Sequence, residues 1–547
     1  GNCVGVPTVG GEIEFNDSYS GNITASSTNA SDQSISLSGQ VYSGTFYVDD
    51  SGDDANDGLT SDSPFATLSK AISSAANGLG VTINIGAGTY NEHTLNLNKS
   101  NIAIQGAGST TIFANTTSNK HMMTITASNN SISSMTIKDY GFTSGASDAY
   151  GGGAIRVGAE PGNTQTSTIL SGIVFEDILF KDNFVNSTSG DGGAIEFTAH
   201  SSNSTTTTAT IKGCTFDGNR AGTNGSSTAG HNGAAIMAKE GARITINNSL
   251  FFDNKVDYAG TVTIWDATHD AATLTINNCT FYDNISYSSV GGYIAGGVFM
   301  WGGTATINNS ILWDSDATNT DSFDIDGIAS DININYSLIE DYSTTNEQSG
   351  TVNPDSFTST NEGTDPSFTD VSSDDYSLQS SSIAVDNGSS IYAPSDDIND
   401  LSRPQGQADD LGAYEHQNTW DGSTDNDWNT AANWSENIVP ASDRSPVIPS
   451  GLSEYPIVSS ATTVNSVTIN SGASMIVQST FSGTITYNRT LSTTNWYLIS
   501  SPVVGETIQD VISNHDFATG SGSNIGLATY TTSDNTWDYL TSSTTGT

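Results

Sequence analysis

The chain has 547 residues, with 14 Lys+Arg against 59 Asp+Glu, a formal net charge of −45, and only 13% charged residues. So few cations exclude the basic footprint that nucleic-acid binding demands, and the acidic excess repels an anionic membrane surface. No run of 18 apolar residues occurs, so no transmembrane helix is expected, and the 35% apolar content falls in short periodic runs that argue for a folded chain.

In chain order, the sequence opens Gly-Asn-Cys-Val, with no initiator Met and no signal peptide, which reads as a mature or trimmed end. It stops within a Ser/Thr-rich stretch, so a longer parent protein is expected. Residues 1 to about 45 carry alternating strands such as 11–15 and 34–37, and are expected to pair with and cap the first coils of the repeat region. Asp53, Asp54, Asn56 and Asp57 lie in a short turn ending in Gly58 and offer several oxygens to a hard cation such as structural Ca²⁺. The same residues suit an Asx-turn loop that caps itself. Residues 64–72 form the best helix candidate, with Ser63 as N-cap and Pro64 in the first turn.

From residue 134 onward one pattern recurs: 134–139, 177–183, 213–219, 248–254, 278–284, 309–315 and 336–341 each carry a short apolar strand followed by Asp. Equivalent positions are Met135, Ile178, Cys214, Ser249, Cys279, Ser310 and Ser337, at steps of 43, 36, 35, 30, 31 and 27 residues. A second series interleaves with it, starting at Ile155, Ile195, Ile236, Val262 and Val298, each preceded by Gly. Within these strands the first and third residues are expected to face inward and the second and fourth outward. Short strands at variable intervals, with no helical stretches between, predict an all-β parallel β-helix whose coils stack about 4.8 Å apart. A β-propeller needs four strands per repeat of roughly 40–50 residues, which the later steps are too short to hold. The Asn pairs 247–248, 277–278 and 308–309 fit stacked turns, because Asn tolerates the left-handed conformation and its amides can form ladders. Cys214 and Cys279 fall in one column two coils apart, too far for a disulfide, so both are expected to be free and inward-facing. With Cys3 the cysteine count is odd, which excludes a full disulfide framework.

The stack fades after about residue 345, and an irregular segment runs to 417. Residues 418–547 change composition, with Trp420, Trp428 and Trp434 and alternating strands near 463–469 and 474–477, and read as one or two small β modules. The organisation expected is therefore a capping segment 1–45, a β-helix 46–417 with a closing part from about 346, and Trp-containing modules from 418 to 547.

Residues 46–58 with Pro64-Phe65-Ala66-Thr67-Leu68 resemble the opening of secreted right-handed parallel β-helix proteins of the pectate-lyase-like superfamily. Residues 365–368, 375–378 and 383–388, with Arg403-Pro404 and 409–415, resemble their closing segment. The combination is similar to large surface proteins of Bacteroidetes with a variable C-terminal anchor. The segment 419–456 resembles a module of secreted flavobacterial proteins that leave by the type IX secretion system. The resemblance implies a right-handed helix, an extracellular or outer-surface location, and the outer-membrane secretion machinery as a partner.

For chemistry, a polysaccharide lyase needs a Lys or Arg base and cations to hold carboxylates, but Arg156, Lys181, Lys212, Arg220, Lys239, Arg243 and Lys255 are scattered along the stack. Glycoside hydrolysis needs two carboxyl groups, and Asp191, Glu196 and Glu240 are the outward acids available. His200 and His231 are lone histidines whose plainest reading is a loop position. Asp421, Ser423, Asp425 and Asp427 make a second alternating set of oxygens, for which a self-capped loop is again the simpler reading. Trp265 and Trp301 share one outward column on adjacent coils, with Phe299 beside them, and such a strip suits the face of a sugar ring unless a loop covers it. Arg156 and Glu196, one coil apart, read as a ladder ion pair. Ice binding would want flat outward Thr columns, whereas Thr here clusters in loops such as 205–208. The function these features support is a surface adhesin or glycan-binding protein with an extracellular glycan as partner. The alternative is a carbohydrate-active enzyme, lyase or hydrolase, on the same fold.

Overall fold

The computed structural model describes residues 44–489 apart from 118, 144–150, 159–164, 167–168, 187–189, 201–206, 224–229, 240, 267–271, 288–294, 315–322 and 343–350, together with 23–27, 30–35, 509, 512, 524–531 and 536–541. It resolves into two compact units, 1–416 and 417–547. Among the described residues no helix is long and apolar enough to cross a membrane.

The first unit is a parallel β-helix. Three parallel sheets run along the stack: a large sheet of two adjoining strand columns, a five-stranded sheet and an eight-stranded sheet. The two repeat series stack as their spacing predicts. Met135 lies opposite Ile178, Thr215 opposite Leu250, Leu250 opposite Thr280 and Thr280 opposite Ile311, which places Cys214, Ser249, Cys279 and Ser310 in one column. Ile155, Ile195, Ile236, Val262 and Val298 form another. Cys214 and Cys279 are free and buried, as expected.

The interior is a single apolar column of stacked like residues. Phe180, Phe216, Phe251 and Phe281 stack with ring centroids 4.9, 4.6 and 4.4 Å apart and nearly parallel planes. Each coil turns where a residue takes a left-handed conformation. Asn248, Asn278 and Asn309 do so at φ of 46°, 50° and 48°, and Asp253, Asp283 and Asp314 at 55°, 48° and 51°. The Asn pairs thus serve as stacked turns. Asn277 Nδ2 donates to Asn247 Oδ1 at 2.9 Å, and Asn308 Nδ2 to Asn277 Oδ1 at 2.8 Å.

The N-terminal helix starts later than expected. It spans Leu68–Ser74 with Thr67 as N-cap, whose hydroxyl accepts from the Lys70 amide. Phe65 is drawn instead into a bridge with Val48, and this extended pairing keeps 64–66 out of the helix. Leu68, Ala71 and Ile72 bury in the core of the first coils. Residues Ile23–Ser27 and Ala30–Ile35 pair with each other as an antiparallel hairpin; the strand expected at 11–15 lies outside the described residues.

The closing segment folds along the outside of the helix. Phe368, Tyr376, Leu378, Ala384, Val385 and Leu411 cover the outward residues Leu250, Phe252, Ile311 and Leu338. The turn asparagines anchor it: Asn278 Nδ2 donates to Asp410 O at 2.9 Å, and Asn309 Nδ2 to Ser389 O at 2.9 Å.

In the second unit the strands between 419 and 487 are also parallel, whereas Asn524–Thr531 and Thr536–Thr541 pair antiparallel. Thr419 bridges Val447, Val447 pairs with Thr468 and Thr468 with Thr486, while Asp427 bridges Ile457, which pairs with Ile476. Residues 419–487 therefore form a small second solenoid, closed at one end by Trp420, Trp428 and Trp434, all buried and packed edge-to-face.

Candidate functional site

The outer face of the eight-stranded sheet departs from the alternation rule in an informative way. Ile155 and Val157 face the core, so Arg156 and its column mates Glu196, Met237, Thr263 and Phe299 must face outward. Yet all five are 2% exposed or less. The turns that precede each strand fold over them. Those turns stack with backbone touching backbone: a Cβ at Gly153 would fall 2.1 Å from Gly193 O, and one at Gly193 2.0 Å from Ala234 O. Only glycine permits that approach.

Within this covered column the charges form one network. Arg156 Nη1 lies 2.5 Å from Glu196 Oε2, so the ladder ion pair expected from the sequence is present. Glu196 Oε1 is 2.7 Å from Lys239 Nζ, which also reaches Asp191 Oδ2 at 3.0 Å. Asp191 Oδ1 accepts from the Asn232 amide at 2.9 Å and from its Nδ2 at 3.1 Å. Two cations thus balance two carboxylates. Glu196 is sealed, whereas the Lys239 side chain is a quarter exposed. Burial acts to lower the Lys239 pKa, but Glu196 and Asp191 together outweigh it and hold the ammonium above its usual range.

Lys239 also begins the aromatic strip. It lies directly opposite Trp265, and Trp265 opposite Trp301, on successive coils. The two indoles have centroids 4.2 Å apart at 53° and remain partly exposed. Phe299 does not join them as a ligand contact. It is fully buried against Ala259, Ala295 and Ile328, because residues flanking the neighbouring turns close over it, while Trp301 packs on the rim of that cluster. So the structure brings Trp265 and Trp301 together with Asp191, Glu196 and Lys239. From the sequence, the Trp pair and the acids stand as separate features and Lys239 is missed as their link, although its place one coil from Trp265 is visible in the repeat.

His231 is 4% exposed, with Nδ1 3.9 Å from Asp257 Oδ2, so it is packed into the fold and not loose in a loop. Glu240 and the side chain of His200 lie outside the described residues. Lys181 pairs with Asp217, and Lys212 with Glu176 at 2.9 Å, both on the large sheet and away from the strip.

In the 53–57 loop the donors turn inward on the loop. Asp54 Oδ1 accepts from the Ala66 and Thr67 amides at 3.0 Å each, and Oδ2 from the Thr67 hydroxyl at 2.8 Å. Asp53 Oδ1 accepts from Ala55 N, Asp57 Oδ1 from Leu59 N and the Ser63 hydroxyl, and Asn56 Nδ2 donates to Pro64 O. These bonds hold the Asp57 carboxyl below its usual pKa. Among the described residues no group of three or more His, Cys, Asp or Glu is placed to hold a metal ion. Asp425 in the second set likewise binds Asp427 N and Asn433 Nδ2.

No family model matches the chain. Curated proteins that match include phosphoribosylformylglycinamidine synthase subunit PurL of Prochlorococcus marinus strains AS9601 and MIT 9301, 91% identical over 22 residues only, 4% of this chain and 3% of theirs. Among solved structures, a pectate lyase, Pel9A, is similar at 16% identity and TM-score 0.30 over 68% of this chain and 96% of its own. A pectin methylesterase from carrot is similar at 10% identity and TM-score 0.28 over 59% and 91%, and a rhamnogalacturonan lyase at 15% and 0.28 over 60% and 91%. The fold rests on the strand register described above, independently of these likenesses.

Proposed function

We propose that this protein is carbohydrate-directed, and that a glycan chain lies along the outer face of the eight-stranded sheet. The observation that carries the reading is the single strip Lys239–Trp265–Trp301 on three successive coils, with Asp191 and Glu196 both on the Lys239 ammonium. Partly exposed indoles offer apolar faces to sugar rings. Two carboxylates that share one ammonium lie within about 6 Å of each other, near the separation used by retaining glycosidases. That pairing favours a carbohydrate-active enzyme over a simple adhesin. It also favours hydrolysis over β-elimination, because a lyase base needs a lowered pKa and Lys239 is held high. Hydrolysis requires Lys239 to swing aside and uncover the acids.

The binding-only reading has its own support: all four charges are paired and Glu196 is 1% exposed, so the network as it stands is closed. Display at the cell surface, export by type IX machinery and a calcium ion near residues 53–57 belong to the same proposal as its setting. The test is a polysaccharide panel, with and without Ca²⁺, read for binding, new reducing ends and unsaturated products. Reducing ends without unsaturation support hydrolysis. Binding without products supports the adhesin. No retention of any polysaccharide overturns both.

A further inference from the structure

The outer face of the large sheet carries an unassigned surface of a different kind. Strand pairing places Thr210, Thr245, Thr275 and Thr306 in one outward column on four successive coils. Two residues upstream on the same strands runs a parallel column: Thr208, Arg243, Thr273, Thr304. Of the threonines expected in a loop at 205–208, Thr208 begins a strand, Thr207 precedes it, and 205 and 206 lie outside the described residues. Two residues downstream, Asn247, Asn277, Asn308 and Asn335 form an amide ladder with bonds of 2.9, 2.8 and 2.9 Å.

The result is a regular grid of outward side chains, with Arg243 in one of its Thr positions. Its repeat is about 4.8 Å across the strands and roughly 6.6 Å along them. These two repeats are close to those of oxygen atoms on faces of hexagonal ice. Thr is stiff at χ1, so its hydroxyl and methyl hold their places at little entropic cost. The grid is anchored from behind by Ile244, Ile246, Leu274, Ile276, Ala305 and Ile307, all buried. Among the described residues the hydroxyls of Thr210, Thr245, Thr273, Thr275, Thr304 and Thr306 make no hydrogen bond to the protein, and each of these residues is partly or fully exposed. On a chain of net charge −45 this patch is neutral, with Arg243 within it and Asp331 at its end. A neutral patch with no aromatic ring suits a neutral lattice of hydroxyl partners better than a sugar chain, which stacks on aromatic faces.

We propose that this threonine face binds ice. The test uses the full chain in slowly grown ice, comparing protein in the ice with protein left in the liquid, together with inhibition of ice recrystallisation. Wild type and the control Thr463→Lys, an exposed position on the second unit, are expected to enrich in ice. The double variant Thr275→Lys/Thr306→Lys is expected to stay in the liquid and to lose inhibition. If the double variant does not fold by circular dichroism, Thr245→Lys alone provides the comparison. Rejection of the wild type by the growing ice, or equal enrichment of a folded lysine variant, overturns the proposal. Retention on crystalline cellulose without enrichment in ice gives the face to a glycan instead.

Discussion

At the scale of single residues, the β-helix is held by buried amides as much as by its apolar column. Asn183, Asn219, Asn254 and Asn284 are all fully buried and stacked coil on coil. Asn254 Nδ2 donates to Phe216 O at 2.9 Å and to Asn284 Oδ1 at 2.8 Å, while its Oδ1 accepts from the Asn219 amide at 2.9 Å. Asn254→Ala orphans groups on two neighbouring coils where no solvent replaces the bonds. The expected loss is at least about 2 kcal/mol, against under about 1 kcal/mol for Asn247→Ala in the half-buried outer ladder. Urea unfolding of the two variants checks the order; equal losses would show that the inner ladder is not a special support. This ladder was legible in the sequence, since the motif ends in Asn at 183, 219, 254 and 284. The burial of Arg156, Glu196 and Phe299 was not, because strand alternation says which way a side chain points and nothing of which turn folds over it.

At the scale of elements, the closing segment is a strap with a buried charge centre. Arg403 Nη1 lies 2.7 Å from Glu415 Oε2 with both side chains sealed, and Asp410 and Asp397 lie close by. One guanidinium faces three carboxyl groups. Burial, partly countered by Arg403, pushes the Glu415 pKa up to about 7, and burial also raises Asp410 and Asp397. The folded state therefore keeps a proton that the unfolded chain, with an ordinary Glu near 4.5, has already released. Where the folded state binds more protons, stability falls as pH rises. The strap is thus expected to be most firmly docked below about pH 4.5 and to loosen as pH climbs through about 7. Hydrogen exchange over 384–415 should quicken between pH 6 and 8 beyond the intrinsic rate change, and Glu415→Gln should flatten that dependence. Unchanged protection would place the proton elsewhere. The existence of a closing segment was legible from its resemblance; its docking along the side was not, because the Asn and Thr contacts that hold it come from coils 80 to 133 residues earlier in the chain.

At the scale of the whole molecule, one principle builds the β-helix of the first unit and residues 419–487 of the second: parallel strands stacked in columns, with the register set by which side chains must be buried. The first unit announces itself because its repeat motif is nearly constant. The second does not, because its coils shrink from 28 to 21 to 18 residues between Thr419, Val447, Thr468 and Thr486, and no motif survives that change. Its Trp residues read as markers of a separate module, and they are the buried end of a solenoid. The proposed carbohydrate recognition rests on the strip where Lys239, Trp265 and Trp301 follow one another along the first unit. The most direct measurement compares wild type, Trp265→Ala/Trp301→Ala and Glu196→Gln on the same polysaccharides, reading retention and product together. The Trp double variant is expected to lose retention, roughly tenfold or more for the loss of two stacked rings, and Glu196→Gln to keep retention while losing product. Undiminished retention by a folded Trp double variant would contradict a glycan-binding role for the strip.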